Sequence, residues 1–128
     1  MLKKRMTYPD YDGNQRTEDF YFNLTKAEIT EMEVSAEGGL TKALEKIVAA
    51  QDGKRIIESF KDLILRAYGE KSPDGRRFIK NQELRDSFAQ TEAYSMLFME
   101  LSMDPKAAAE FVNAIVPETP KPSIAPAK

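Results

Sequence analysis

Carboxylates are the reactive groups this sequence offers in number, because it has 21 acidic residues and neither histidine nor cysteine. Without histidine the usual proton shuttle near neutral pH is missing, and without cysteine there is no thiolate nucleophile, disulfide or zinc–thiolate site. Acid–base work would need two neighbouring carboxylates, one with its pKa raised by burial. Glu28 and Glu31 lie one helical turn apart, and Asp10 and Asp12 share a strand face. Nothing around either pair demands burial, so both read as solvated. The stretch from Asp10 to Glu18 superficially suggests a calcium loop. It lacks the ladder of Asp and Asn ligands, and the position of the closing Glu is taken by Tyr21.

Other patterns are weaker. Gly38-Gly39 precedes a helical pattern but has no P-loop lysine and no GxGxxG around it, so a plain loop is expected. Arg76, Arg77 and Lys80 surround Phe78, the composition of a weak nucleic-acid contact. A charged strand edge, guarded against aggregation, explains them as well. The 19 basic residues nearly balance the acidic ones, leaving a formal charge of −2. That balance argues against a nucleic-acid or membrane-surface binder. Asn23-Leu24-Thr25 matches a glycosylation sequon, but Met1 to Met6 leads into no apolar signal-peptide core. No catalytic, cofactor-binding or metal-binding residue is assigned.

Methionines are the remaining feature. Met96, Met99 and Met103 recur along one apolar stretch, with Met32 elsewhere. Core filler is the commoner role of this side chain, and an adaptable surface for varied apolar partners is the other.

These residues need elements to hold them. Between Ala93 and Met103 only Ser95, Glu100 and Ser102 are plainly polar, so the pattern predicts a helix buried on most of its circumference, by this domain or a partner. Asp104-Pro105 reads as an N-cap and first-turn pair opening another helix, with Ala108, Phe111, Val112 and Ile115 as its stripe and Pro117 as its stop. The rest of the chain should be laid around this pair.

At the N-terminus a hairpin is expected, with Asp12-Gly13-Asn14 as a bulged three-residue turn that sets Met6 across from Phe20 and Tyr8 across from Glu18. A two-residue turn would set Arg5 across from Phe20. Pro9 puts the first strand at a sheet edge. Thr25 and Glu28 form a capping box, flanked by Leu24 and Ile29 as a hydrophobic staple, for a helix reaching Val34. Leu40, Leu44, Ile47 and Val48 mark a second helix. Ile56, Ile57, Phe60, Leu63, Ile64 and Ala67 mark a third, stopped by Gly69. Ser72-Pro73-Asp74-Gly75 is turn chemistry. Arg76 to Ile79 reads as a short strand paired with the hairpin edge, and Asn81 as the cap of a short helix holding Leu84 and Phe88. After Pro117 the sequence turns proline-rich and should be disordered. The fold class is thus α+β and mainly α-helical. An N-terminal β-hairpin packs on about five to six short helices in residues 1–116, and residues 117–128 form a tail. No apolar run approaches the roughly 18 residues a membrane span needs.

Three stretches carry a resemblance. Asp19-Phe20-Tyr21-Phe22-Asn23-Leu24-Thr25-Lys26-Ala27-Glu28, the run from Tyr68 to Ile79, and Phe88-Ala89-Gln90-Thr91-Glu92-Ala93-Tyr94-Ser95 through Leu101 resemble tail assembly chaperones of long-tailed bacteriophages. The resemblance implies a non-enzymatic, mostly helical protein of the infected host's cytoplasm. It implies one that binds the tape-measure protein, with the major tail protein as a second partner and homo-oligomers allowed, and that is absent from the mature virion. A structural protein of the tail or head is the alternative. The resemblance brings no site residue with it. From the apolar pattern, Met96, Met99 and Met103, together with Phe111 and Ile115, are expected to line the partner groove.

Limited proteolysis should trim the chain after Val116 and leave a cooperative melt unchanged. Loss of folding on trimming would reject the boundary.

Overall fold

The computed structural model describes residues 1–32, 49 and 53–117. The helix expected through Leu40 to Val48, the Gly38-Gly39 pair, the first helix's expected end at Val34 and the tail beyond Pro117 lie outside the described residues. In chain order the elements are β1 (Leu2–Pro9), β2 (Gln15–Phe22), α1 (Lys26–Met32), α2 (Gly53–Ala67), β3 (Tyr68–Lys71), β4 (Phe78–Ile79), α3 (Gln82–Ala89), α4 (Glu92–Met103) and α5 (Pro105–Ile115).

The strands form one antiparallel sheet in the order β1-β2-β3-β4, which leaves β1 with Pro9 at an edge. Its hairpin pairs Met6 with Glu18, Tyr8 with Arg16 and Pro9 with Gln15. The expected register is therefore corrected. Neither Met6 nor Arg5 stands across from Phe20; Lys4 does. The turn is bulged and three residues long as expected, but it runs Tyr11-Asp12-Gly13 and closes one residue earlier. Asp10 causes the shift. Its backbone N–H donates to Asn14 O at 2.8 Å, and its carboxylate accepts from the N–H groups of Asp12 and Asn14, both at 2.9 Å. Gly13 takes the positive φ of 86° that such a bulge requires. A shift of one turn residue moves the pairing by two positions, so the apolar face survives and Met6, Tyr8, Phe20 and Phe22 remain buried together.

The sheet has one strand more than the hairpin and the Arg76–Ile79 strand that the sequence suggested. β3 follows α2 without a loop and pairs Tyr68 with Phe22 and Gly69 with Tyr21. β4 pairs with β3, not with the hairpin edge, through Glu70–Ile79 and Lys71–Phe78. Between them Ser72 to Gly75 turns as expected, closed by Gly75 N–H to Ser72 O at 2.9 Å, with Gly75 at φ 76°. Gly69, read as a helix stop, is a strand residue. A Cβ there would lie 2.8 Å from both Ile79 O and the Phe78 ring.

Helices α2 to α5 cover the apolar face of the sheet. Phe60, Leu63, Ile64 and Ala67 give α2 its buried stripe; Ile57, expected in that stripe, is exposed. Asn81 Oδ1 accepts from Leu84 N–H at 2.8 Å and starts α3. Thr91 caps α4, so Phe88 belongs to the helix before it. Asp104 caps α5, accepting from the N–H groups of Lys106 and Ala107 with Pro105 in the first turn. Phe88 sits where these helices meet the sheet. Its ring stacks on Tyr68 at 4.3 Å and 12°, and lies 5.2 Å from Phe20 and 5.7 Å from Phe22 and Tyr94. α4 touches β1, α2, α3 and α5, and so lies at the centre of the packing.

Gly69→Ala should lower stability by about 1–3 kcal/mol, since its neighbour at 2.8 Å is backbone and gives little. Urea unfolding would register this as a reduced midpoint at unchanged m.

Candidate functional site

Carboxylates come first, because the sequence offered them. Asp10 and Asp12 sit in the β1–β2 turn, where Asp10 also accepts from Arg16 Nε at 2.8 Å. The Asn14 N–H, then Arg16, hold Asp10 below its ordinary pKa. The Arg5 guanidinium does the same for Asp19 from 2.9 Å, and the Ser72 hydroxyl for Asp74. Glu28 is fixed on both sides. Its Oε1 accepts from Thr25 N–H at 2.8 Å while Thr25 Oγ1 accepts from Glu28 N–H at 3.1 Å, the capping box read from the sequence. Its Oε2 receives Lys80 Nζ at 2.7 Å, and the same ammonium donates to Asn23 O at 2.7 Å. Burial pushes the Glu28 pKa up, but the Lys80 and Thr25 hydrogen bonds outweigh it and the net shift is downward. A general acid needs the opposite shift. These four carboxylates are committed to turns, caps and ion pairs. Burial raises Tyr68 to about 12, with the charges of Glu70 and Glu18 adding to it.

Among the described residues no group of three acidic side chains is arranged to hold a metal ion. None of their helices is long and apolar enough to cross a membrane. The basic residues around Phe78 are spent differently from one another. Lys80 is held by Glu28, while Arg76 and Arg77 are exposed beside the β3–β4 turn.

The methionines remain, and their positions are specific. On α4 the residues Ala93, Leu97 and Leu101 are buried against the core. At about 100° per residue the line through Met96, Met99 and Met103 falls on the other side of that helix. These three side chains are 43%, 49% and 73% exposed. They are therefore surface residues, not the core filler that is commoner for methionine. Glu92 precedes them on the same face, and Glu100 lies between them, its carboxylate 3.4 Å from Lys4 Nζ on β1. Phe111 and Ile115 are elsewhere. At 4% and 0% exposure they belong to the core, with Phe111 5.4 Å from Phe22. The structure thus brings the methionines together in an exposed row and keeps the two α5 residues beneath. The periodicity of α5 already put Phe111 and Ile115 on its buried stripe, but that of α4 does not tell which side faces the core, because α4 is apolar nearly all round.

A model of a family described as phage tail assembly chaperone matches residues 1–126 of the chain. No curated protein and no solved structure matches it.

The Glu28 linkage has a definite sign. A carboxylate whose folded pKa is depressed contributes stability that is complete above its ordinary value of 4.5 and is lost as pH falls through the folded value. Glu28→Gln should cost about 1 kcal/mol near neutral pH, discounted for its partial exposure. The difference from the parent should shrink as pH drops below 4.5, read by denaturant unfolding across an acid series.

Proposed function

The chain belongs to the phage tail assembly chaperone family, and from that premise we propose that it binds the tape-measure protein while the tail is built, without catalysing a reaction. The observation that carries the reading is the exposed row Met96, Met99 and Met103 on the helix at the centre of the fold. Large exposed apolar side chains in a line mark a surface that a partner covers. Methionine suits a long helical client, because its flexible thioether repacks around successive, slightly different helix faces. Phe111 and Ile115 serve the same surface from within, by seating α5 and thereby α4 on the sheet. The major tail protein is a second partner in this reading. The protein acts in the cytoplasm of the infected host and leaves before the particle is complete, so mass analysis of purified virions should not find it. Finding it there in stoichiometric amount would favour a structural tail or head protein instead.

Met99→Asp with Met103→Asp tests the surface. Both side chains are about half or more exposed, so the double variant should keep its fold and melting behaviour. Each anchor buried by the partner is worth roughly 1–3 kcal/mol, so tape-measure binding should weaken by about 10²–10⁴-fold. Full binding by the folded variant would place the contact elsewhere.

A further inference from the structure

The outer edge of β1, unpaired among the described residues, has the makings of a second docking site, separate from the methionine row. Asp10 N–H bonds to Asn14 O, which makes that pair a hydrogen-bonded one. Counting back by twos along the antiparallel register, Tyr8, Met6, Lys4 and Leu2 direct their backbone groups at β2. Lys3, Arg5 and Thr7 therefore direct theirs away from the sheet. Among the described residues none of these outward groups has a backbone or side-chain partner, and all three residues are exposed. Pro9 has no N–H to offer, so it ends the run of outward donors at Thr7.

The side chains say what would fit. Lys3, Arg5 and Thr7 lie on the open face of the sheet, in rows with Tyr21, Asp19 and Thr17 of β2. Lys71 joins them, its ammonium 4.9 Å from the Tyr21 ring centre. Around β1 and β2 this face carries Lys3, Arg5 and Lys71 against the single carboxylate of Asp19, although the whole chain is at −2. On the other face of the edge Leu2 packs against the core, Met6 and Tyr8 lie in it, and the one charged residue, Lys4, is paired with Glu100 at 3.4 Å. We infer that the β1 edge takes up an extended segment of a partner protein as a fifth strand, one whose residues alternate between Asp or Glu on the open face and apolar side chains on the helix-covered face. The backbone ladder would supply affinity and the alternation specificity.

Two other occupants fit worse. A second copy pairing through its own β1 would bring the Lys3 and Arg5 side chains of both chains onto one face, like charge against like. Single-stranded nucleic acid needs bare aromatic faces for its bases. Here Tyr21 is covered by Lys71 and the Phe78 ring lies against Gly69, which leaves Tyr11 in the hairpin turn as a lone exposed ring among the described residues, not a row.

The test uses the full chain and a synthetic capped octapeptide of alternating Glu and Val, with a Lys–Val octapeptide and a dT10 oligonucleotide as comparisons. The acidic peptide at millimolar concentration should slow exchange of the Lys3, Arg5 and Thr7 amide protons by tenfold or more, leaving those of Met6 and Tyr8 unchanged. Lys3→Glu should weaken it at least fivefold. Thr7→Pro removes one outward N–H without touching the β1–β2 ladder, and should weaken it similarly in a variant whose melt is unaltered. Absence of protection at those amides overturns the inference. So does equal binding by the Lys–Val peptide, and so does protection of the same amides by the oligonucleotide or by raising the concentration of the protein alone.

Discussion

The stack of Phe88 on Tyr68 is the contact from which the arrangement of this protein follows. Tyr68 is the first residue of β3 and sits at the end of α2, so its ring marks the point where a helix becomes a strand. Phe88 comes from α3 and reaches Phe20 and Phe22 on β2 as well. One ring thus joins the hairpin, the inner strand and the helical layer. Edge-to-face and offset contacts of this kind add to the apolar area they bury, and they fix relative angles that aliphatic packing leaves free. The phenol of Tyr68 is buried there, and that burial raises its pKa to about 12.

What could be read from the sequence was local chemistry. The Thr25–Glu28 box, the caps at Asn81 and Asp104 and the Ser72–Gly75 turn each depend on a few adjacent residues, and each stands where those residues put it. The α2 and α5 stripes were legible for the same reason, since burial repeats at the helical period. Long-range pairing was not. β3 is four residues long, contains glycine and follows a helix directly, so the punctuation that normally announces a strand is absent. The hairpin slipped by one turn residue because the Asp10 side chain, rather than the Asp12-Gly13 pair, decides where the turn begins. The methionine row was visible as a period, but its side was not. A helix apolar on every face says that something covers it without saying where the domain's own core lies.

Charge is used in the same economical way. Three of the ion pairs join separate strands or elements: Arg16 with Asp10 at the hairpin turn, Arg5 with Asp19 across the hairpin, Lys80 with Glu28 between the end of β4 and α1. Lys80 is the most enclosed of these cations. Burial lowers its pKa, and Glu28 offsets part of that shift. Its second bond, to Asn23 O, fastens the exit of β2 as well as the start of α1. A solvated pair contributes little, whereas one that also satisfies a backbone carbonyl removes a cost that any alternative packing would incur.

The exit of β2 has a bearing on how the chain is made. Asn23 N–H donates to Ala67 O at 2.8 Å and Leu24 N–H to Ile115 O at 2.9 Å. Two consecutive amides of the N-terminal segment thereby close the C-terminal ends of α2 and α5. On the ribosome the hairpin emerges early, but the carbonyl that Leu24 requires is nearly the last part of the domain to be synthesised. Leu24 itself is almost fully buried, so its amide cannot turn to water in the finished fold. The join between the exit of β2 and α5 is thus completed only after α5 has left the exit tunnel, through residues far apart in sequence. Until α4 and α5 have emerged, the part of the hairpin's apolar face that they cover is open.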